Sequence, residues 1–186
     1  MNVWELPTSL EIGGVGFAIR SDFRAVLDVL KAFNDPDLED DEKAIVCLKI
    51  LYEDFDKIPQ EKYEEAFQKA VEFIDAGSTS DDSPKPRLMD WEQDAPILIP
   101  AVNKVLGTEC RVAPYLHWWT FLGAYMEIGE GLFSSVISIR NKKAKGEKLE
   151  KYERTFYREN KKLVDFEKKY SEEELQEQER LKALLG

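Results

Sequence analysis

The sequence predicts a mainly α protein, a single multi-helix domain with a small N-terminal β-hairpin. Apolar residues recur every three or four positions along most of the 186-residue chain, which is typical of amphipathic helices. Apolar and polar residues alternate only near the N-terminus, on both sides of Gly13-Gly14. Strands and helices do not alternate as they do in a nucleotide-binding sheet. The length suits one domain with one core.

The hairpin and the domain boundaries follow from glycine, proline and serine usage. Ser9 to Ile19 predicts two strands joined by a two-glycine turn, which needs positive φ angles. Two strands alone are marginal in water, so the hairpin must lean on helices or on another chain. We divide the chain into a helical domain at residues 1–170, with its hairpin at 1–20 and a mobile loop at 78–87, and a helical tail at 171–186.

Capping and breaking residues predict about seven helices. Ser21 is a suitable N-cap for the first helix, and Pro59 is expected to start the third. Asp90 is a suitable N-cap for the fourth helix, which Gly107 is expected to end. Gly77 is expected to end the third helix. The segment 132–139 fits a helix or a strand, and we predict a helix. Residues 147–170 predict one long basic helix, and Ser171 with Glu174 forms a capping box that opens the last one.

The central helix is predicted around the chain's only histidine. Pro114 suits the first position of a helix that runs to about Ile128, because its missing N–H would be unpaired there anyway. Tyr115, Trp118 and Trp119 begin a broad apolar surface, too broad for a helix with one side in water. We therefore expect this helix to lie inside the domain, surrounded by the others.

Few residues suggest chemistry. A lone histidine among aromatic rings, His117, is more often a hydrogen-bonded core residue than a general base. Asp90, Glu92 and Asp94 are carboxylates two positions apart at a helix start, where capping is their commonest role. Gly13-Gly14 lacks a P-loop lysine, and the two cysteines lack metal-site spacing. We expect no catalytic residue, no metal and no cofactor.

The charge of −11 is unevenly distributed. Residues 1–100 carry 10 basic and 23 acidic side chains, whereas residues 101–186 carry 16 and 14. Such a two-sided molecule is suited to steering a charged partner or a second copy into a homo-oligomer. The net charge disfavours nucleic acid, although the basic segment at 140–169 leaves a nucleic-acid-binding regulator open. Without an apolar run long enough for a membrane or a secretion signal, we expect a cytoplasmic protein.

Several segments together resemble a known family. They are Leu6-Pro7-Thr8-Ser9 with Glu11-Ile12-Gly13-Gly14, Ser21-Asp22-Phe23-Arg24, Asp90-Trp91-Glu92-Gln93-Asp94, Tyr115-Leu116-His117-Trp118-Trp119-Thr120-Phe121 and Phe156-Tyr157-Arg158-Glu159-Asn160-Lys161-Lys162. The chain resembles the bacteriophage gene-product-fifteen family, found in siphophages and prophages of Gram-positive hosts. The Tyr-Leu-His-Trp-Trp element is the most specific of these segments. The acidic tail after Tyr170 extends beyond the family pattern.

The resemblance implies a non-enzymatic role in tail morphogenesis inside the bacterial host cell. It suggests a tail assembly chaperone that binds the helical tape-measure protein, together with other tail assembly proteins, before the tube polymerises. The alternative is a structural subunit of the tail or of the head-tail connector. Partner contacts are expected on the aromatic helix and the C-terminal helices, at Tyr115, Trp118, Trp119, Phe156, Arg158, Lys161 and Lys162.

Overall fold

The computed structural model describes residues 4–76, 86–168 and 170–185, and within these ranges it confirms the mainly α fold with an N-terminal hairpin. The described strands and helices are β1 (Ser9–Ile12), β2 (Val15–Ala18), α1 (Phe23–Phe33), α2 (Asp40–Leu51), α3 (Tyr63–Ile74), α4 (Ala95–Leu106), α5 (Trp118–Met126), α6 (Leu132–Ala144), α7 (Lys151–Glu159), α8 (Lys161–Val164) and α9 (Glu172–Leu185). Short 3₁₀ turns occur at Phe55–Lys57, Gln60–Lys62 and Cys110–Val112.

The hairpin forms as predicted. Antiparallel β1 and β2 pair with Ile12 opposite Val15, so Gly13 and Gly14 are the two turn residues. Their φ angles are 57° and 81°, which side chains with a Cβ rarely adopt. Leu10 and Ile12 are buried against α3, and the Gly13 N–H donates to Glu65 Oε1 at 2.8 Å. The hairpin therefore leans on a helix of its own chain.

Helix α5 lies in the core, as expected. Trp118 is 1% exposed, and its Nε1–H donates to the Ile74 carbonyl at 2.8 Å. Phe121 stacks on Phe23 with ring centroids 4.5 Å apart. The expectation that no side of α5 faces water was wrong, because Thr120, Gly123 and Met126 are exposed. The helix is central, but one narrow face remains at the surface.

The predicted start of this helix at Pro114 was also wrong. Residues 114–117 are extended and lie beside the start of α1, where the Phe23 N–H donates to the Leu116 carbonyl and the Trp118 N–H to the Ser21 carbonyl. These tertiary hydrogen bonds outweigh the preference of Pro114 for a first helical turn. His117 Nδ1 accepts from the Trp119 N–H, so the His117 side chain caps the start of α5.

Two predicted N-caps move for similar reasons. Asp22 rather than Ser21 caps α1, since its carboxylate accepts from the Arg24 N–H while Ser21 Oγ bonds the Tyr115 hydroxyl. Helix α4 begins at Ala95 rather than Asp90. Asp90 instead closes the turn before it by accepting from the N–H groups of residues 92 and 93. The predicted stop at Gly107 is confirmed, with a left-handed φ of 70°.

The other boundary corrections concern helix breaks. The third helix begins at Tyr63, because Pro59 leads into a 3₁₀ turn. The segment 132–139 is helical, as predicted, and extends to Ala144 in α6. The single helix predicted at 147–170 was wrong: Asn160 interrupts it between α7 and α8, and the helix ends at Val164. Gly77 and most of the loop predicted at 78–87 lie outside the described residues.

A second, smaller core joins α6, α7 and α8. Val136, Ile139 and Val164 are buried there, with Phe156 and Leu163 packed around them. This cluster is separate from the main core, so the C-terminal helices form a layer with its own apolar contacts. A polar interaction fastens that layer to the rest of the molecule.

The fastening is a buried salt bridge between Arg140 of α6 and Asp94 at the start of α4. The two N–O distances are 2.6 and 2.9 Å, and the side chains are 4% and 0% exposed. Arg140 also donates to the carbonyls of Leu88, Leu163 and Val164, and its guanidinium lies 4.1 Å from the centre of the Phe166 ring. Asp94 was expected to cap a helix, but it makes no such bond; its carboxylate serves this pair.

Replacing the most buried indole tests the core position of α5. Trp118→Ala is expected to lower the free energy of unfolding by about 3–5 kcal/mol, because it removes a ring from a packed site. Met126→Ala, on the same helix but 64% exposed, should change it by less than about 0.5 kcal/mol. Urea unfolding of both variants measures the difference. Equal, small effects would place Trp118 outside the core.

Breaking the buried salt bridge tests whether it holds the C-terminal helices to the main core. Asp94→Asn leaves the Arg140 charge buried without its counter-ion, so the expected loss of unfolding free energy is about 3–5 kcal/mol. The double variant Asp94→Leu/Arg140→Met should recover most of that loss, because it removes both charges. Chemical denaturation of the single and double variants checks this. A single variant within about 1 kcal/mol of the wild type would contradict the assignment.

Candidate partner-binding surface

The motifs near the N-terminus and around His117 meet in one structural junction. His117 Nε2–H donates to the Pro7 carbonyl at 2.9 Å, and the Leu116 N–H donates to Asp22 Oδ2 at 2.9 Å. Arg24 binds the Asp22 carboxylate and donates to the carbonyls of Cys110 and Ala113. The side chains that carry these motifs are therefore occupied in holding α1, α5 and the hairpin together.

The groups most able to do chemistry are occupied as well. Nδ1 of His117 accepts a backbone N–H and Nε2 donates to a carbonyl, which is the pattern of a neutral histidine with both nitrogens in use. Burial raises the pKa of the Cys47 thiol to about 12, so it stays protonated and is a poor nucleophile. In residues 4–76, 86–168 and 170–185, no group of three or more His, Cys, Asp or Glu could hold a metal ion.

Three of the four aromatic residues predicted to bind a partner lie at or just before the start of α5, and their exposure differs. Trp118 is buried, and the ring is not available at the surface. Trp119 is partly buried and donates its Nε1–H to the Phe73 carbonyl at 2.8 Å. Tyr115 is 52% exposed. It borders an open cleft of about 710 Å³, in which Asp22 and Arg24 are paired with each other.

Several cations of the basic segment serve the fold. Arg140 binds Asp94, as described above, and Lys142 binds Glu153 at 2.7 Å. Lys143 binds Asp165, and Lys168 lies 3.8 Å from Glu174. Arg140, Lys142 and Lys143 therefore join α6 to its neighbours, whereas the contact of Lys168 with Glu174 is between two exposed side chains.

Seven further cations, all between residues 145 and 162, are exposed. Their side chains form no ion pair or hydrogen bond among the described residues, although the charge of Lys161 helps to lower the pKa of the Asp165 carboxyl. Lys151, Arg154 and Arg158 recur on α7 at three- and four-residue steps, which places them on one side of the helix. That side is opposite the buried Glu153. We call the following set the basic face: Lys145, Lys148, Lys151, Arg154, Arg158, Lys161 and Lys162.

Aromatic residues flank and support the basic face. Phe156, a predicted contact residue, is partly buried in the second core and supports α7 from below. Tyr152, near the start of α7, is 68% exposed. The sequence reasoning named Arg158, Lys161 and Lys162 as partner contacts and considered Arg154 only as a nucleic-acid contact, and it did not name Lys151. The three- and four-residue spacing of Lys151, Arg154 and Arg158 in the sequence was the signal that could have grouped them.

Buried ionic contacts hold α7 against α6. The hydrogen bond from Lys142, followed by that from the Glu150 N–H, lowers the pKa of the Glu153 carboxyl below its usual range. Burial would raise the pKa of Asp165, but the bonds from Lys143 and Tyr157 outweigh it and lower this pKa. Both carboxylates are therefore charged at neutral pH, and they neutralise the lysines beneath the basic face.

Removing the Glu153 charge tests its ionic role through the pH dependence of stability. The pKa of Glu153 is lower in the folded than in the unfolded state. The stabilisation by its charge is therefore complete above the unfolded-state pKa of about 4.3 and is lost as pH falls through the folded-state pKa. Glu153→Gln should melt at a lower temperature than the wild type at pH 7, and the difference should disappear in acid. Glu159→Gln, exposed on the same helix, serves as the control. A difference independent of pH would contradict the ionic role.

No helix in the described ranges is both long and apolar enough to cross a bilayer. The family model described as Bacteriophage Gp15 protein matches residues 3–166, which include the structural junction and the basic face and leave out α9. No curated protein and no solved structure matches the chain. Because the family model covers most of the sequence, this chain belongs to the bacteriophage Gp15 protein family.

Proposed function

We propose that this protein is a non-enzymatic tail assembly chaperone, which binds the helical tape-measure protein in the host cytoplasm before the tail tube polymerises. The observation that carries the proposal is the basic face. It lies inside the family-matched residues, and its seven cations are exposed and form no ion pair or hydrogen bond with the residues that the structure describes, whereas Arg140, Lys142 and Lys143 are used by the fold. Exposed positive charge concentrated on α7 and on the residues before and after it supports a role in binding.

The basic face suits one kind of partner segment. Exposed arginine and lysine attract carboxylates, and Arg154 and Arg158 lie one helical turn apart, matching acidic residues at the same spacing on a second helix. Tyr152, near the start of the same helix, offers an apolar surface with a polar tip. We therefore propose that the segment bound is an amphipathic helix of the tape-measure protein with acidic residues along one edge.

The physical need for such a chaperone follows from the shape of its client. A long amphipathic helix that waits for its tube exposes an apolar stripe, and exposed stripes associate with one another. Ionic contacts attract the segment quickly and are individually weak in water, so the growing tube can displace the chaperone. A surface of exposed cations fits temporary binding better than a deep apolar groove would.

A structural subunit is the second candidate, and the hairpin favours it. β1 lies against α3, whereas Val15, Gly16 and Ala18 of β2 are exposed, so this edge could add to a neighbour's sheet. Mass spectrometry of purified virions separates the two candidates. A chaperone is expected to be absent from the finished particle, and a stoichiometric amount there would favour the subunit.

Charge reversal on the basic face tests the chaperone proposal. Co-expression with the tape-measure protein should raise its soluble fraction, and Arg154→Glu/Arg158→Glu should remove at least nine-tenths of that gain, because the reversed charges repel acidic residues. The soluble and pelleted fractions are compared by quantitative immunoblotting. A gain that survives the double reversal would contradict the proposed surface.

The control has the same change in net charge at another place. Lys49 and Lys104 are exposed on α2 and α4, outside the basic face, so Lys49→Glu/Lys104→Glu should leave the solubility gain within about twofold of the wild type. Binding of the wild type to duplex DNA in low salt tests the nucleic-acid alternative. Tight, salt-sensitive DNA binding without tape-measure binding would replace the chaperone by a regulator.

A further inference from the structure

Helix α9 lies outside the core of its own chain. From Glu172 to Leu184 no side chain is buried, and Leu175, Leu181 and Leu184 are 47%, 47% and 74% exposed. The helix has 14 residues and is about 21 Å long. Isolated helices of this length are marginal in water, and their stability comes chiefly from packing an apolar face. Such a helix therefore requires a surface to bind.

The charges of α9 are opposite to those of the basic face. It carries five glutamates, one arginine and one lysine. Glu173, Glu177, Leu181 and Leu184 follow at three- and four-residue steps, so they share one side of the helix, acidic at its start and apolar at its end. The family match ends at residue 166, so this helix lies outside the region that defines the family.

We propose that α9 binds the basic face of a second copy of this chain, and that the two copies do so reciprocally. Antiparallel helices place Glu173 and Glu177 opposite Arg158 and Arg154, because each pair is separated by one turn, about 6 Å. The leucines then reach the end of α7 that carries Tyr152. Each copy contributes the same two surfaces, which is the arrangement of a two-fold symmetric dimer.

The start of α9 explains why the contact is made between copies. The Glu172 N–H donates to Asp37 Oδ1 at 2.8 Å, which holds the helix start beside the loop between α1 and α2. The preceding chain is fastened by Gln93, which donates to the Asp165 carbonyl and accepts from the Glu167 N–H. Among the described residues, no hydrogen bond or ion pair joins α9 to α7 of its own chain.

The dimer would also regulate binding. If α9 occupies the basic face, a partner helix must displace it, so the free protein is protected from binding other acidic proteins. This consequence rests on the proposed function, whereas the self-association itself does not. The two are separable, since dimerisation is measured with the purified chain alone.

Sedimentation velocity of the full chain over a concentration series in low salt tests the proposal. The wild type should form a dimer, and raising the salt should dissociate it, because exposed ionic contacts are screened. Glu173→Lys/Glu177→Lys should weaken dimerisation at least tenfold, and so should Arg154→Glu/Arg158→Glu. Mixing these two variants should restore one of the two contacts and recover a heterodimer. The control Lys49→Glu/Lys104→Glu should dimerise like the wild type.

Several results would overturn the inference. The wild type could stay monomeric even at 100-fold the concentration used in binding experiments with the tape-measure protein. The dimer could be unaffected by the charge reversals in α9, or the mixture of the two reversed variants could fail to associate. Circular dichroism of each variant shows that it is folded. If dimerisation follows the predictions and the tape-measure protein is not bound, only the proposed function fails. If binding occurs without dimerisation, only this inference fails.

Discussion

The buried pair between Arg140 and Asp94 is the interaction on which the rest of the structure depends. It is the buried ionic link between the main core and the layer formed by α6, α7 and α8. Buried charges are costly unless each is paired and hydrogen-bonded, and here the guanidinium has a carboxylate and three carbonyls. This pair positions α6 and α8, and the bond from Lys142 to Glu153 then holds α7, which carries much of the basic face, against α6.

Most of the motif residues that carry the family resemblance serve the fold. His117, Asp22 and Arg24 hold extended segments together, and Trp118 fills the main core. Such residues identify the family without stating its activity. The proposed binding surface consists of exposed cations that form no ion pair with the described residues, and these can be identified only after the internal ion pairs have been assigned.

The sequence was sufficient for the fold class, the hairpin turn and the interior place of the aromatic helix, because glycine pairs and apolar periodicity act locally. It was insufficient wherever a distant group decided the outcome. The helix start moved from Pro114 to Trp118 because residues 116 and 118 form backbone hydrogen bonds with the start of α1. The ion pair of Asp94 could not be predicted, because its partner Arg140 lies 46 positions away in the sequence. Which cations of the basic segment remain exposed also depended on distant partners, because Lys142 and Lys143 are bound by Glu153 and Asp165.

The central claim is that the basic face on α7 and α8 contacts the client. Hydrogen exchange measured with and without the tape-measure protein addresses it directly, because bound helices exchange their amide protons more slowly. The account predicts slower exchange in α7 and α8 on binding, with the junction around His117 unchanged. Protection confined to the cleft beside Tyr115 or to the β2 edge, with α7 and α8 unchanged, would contradict it.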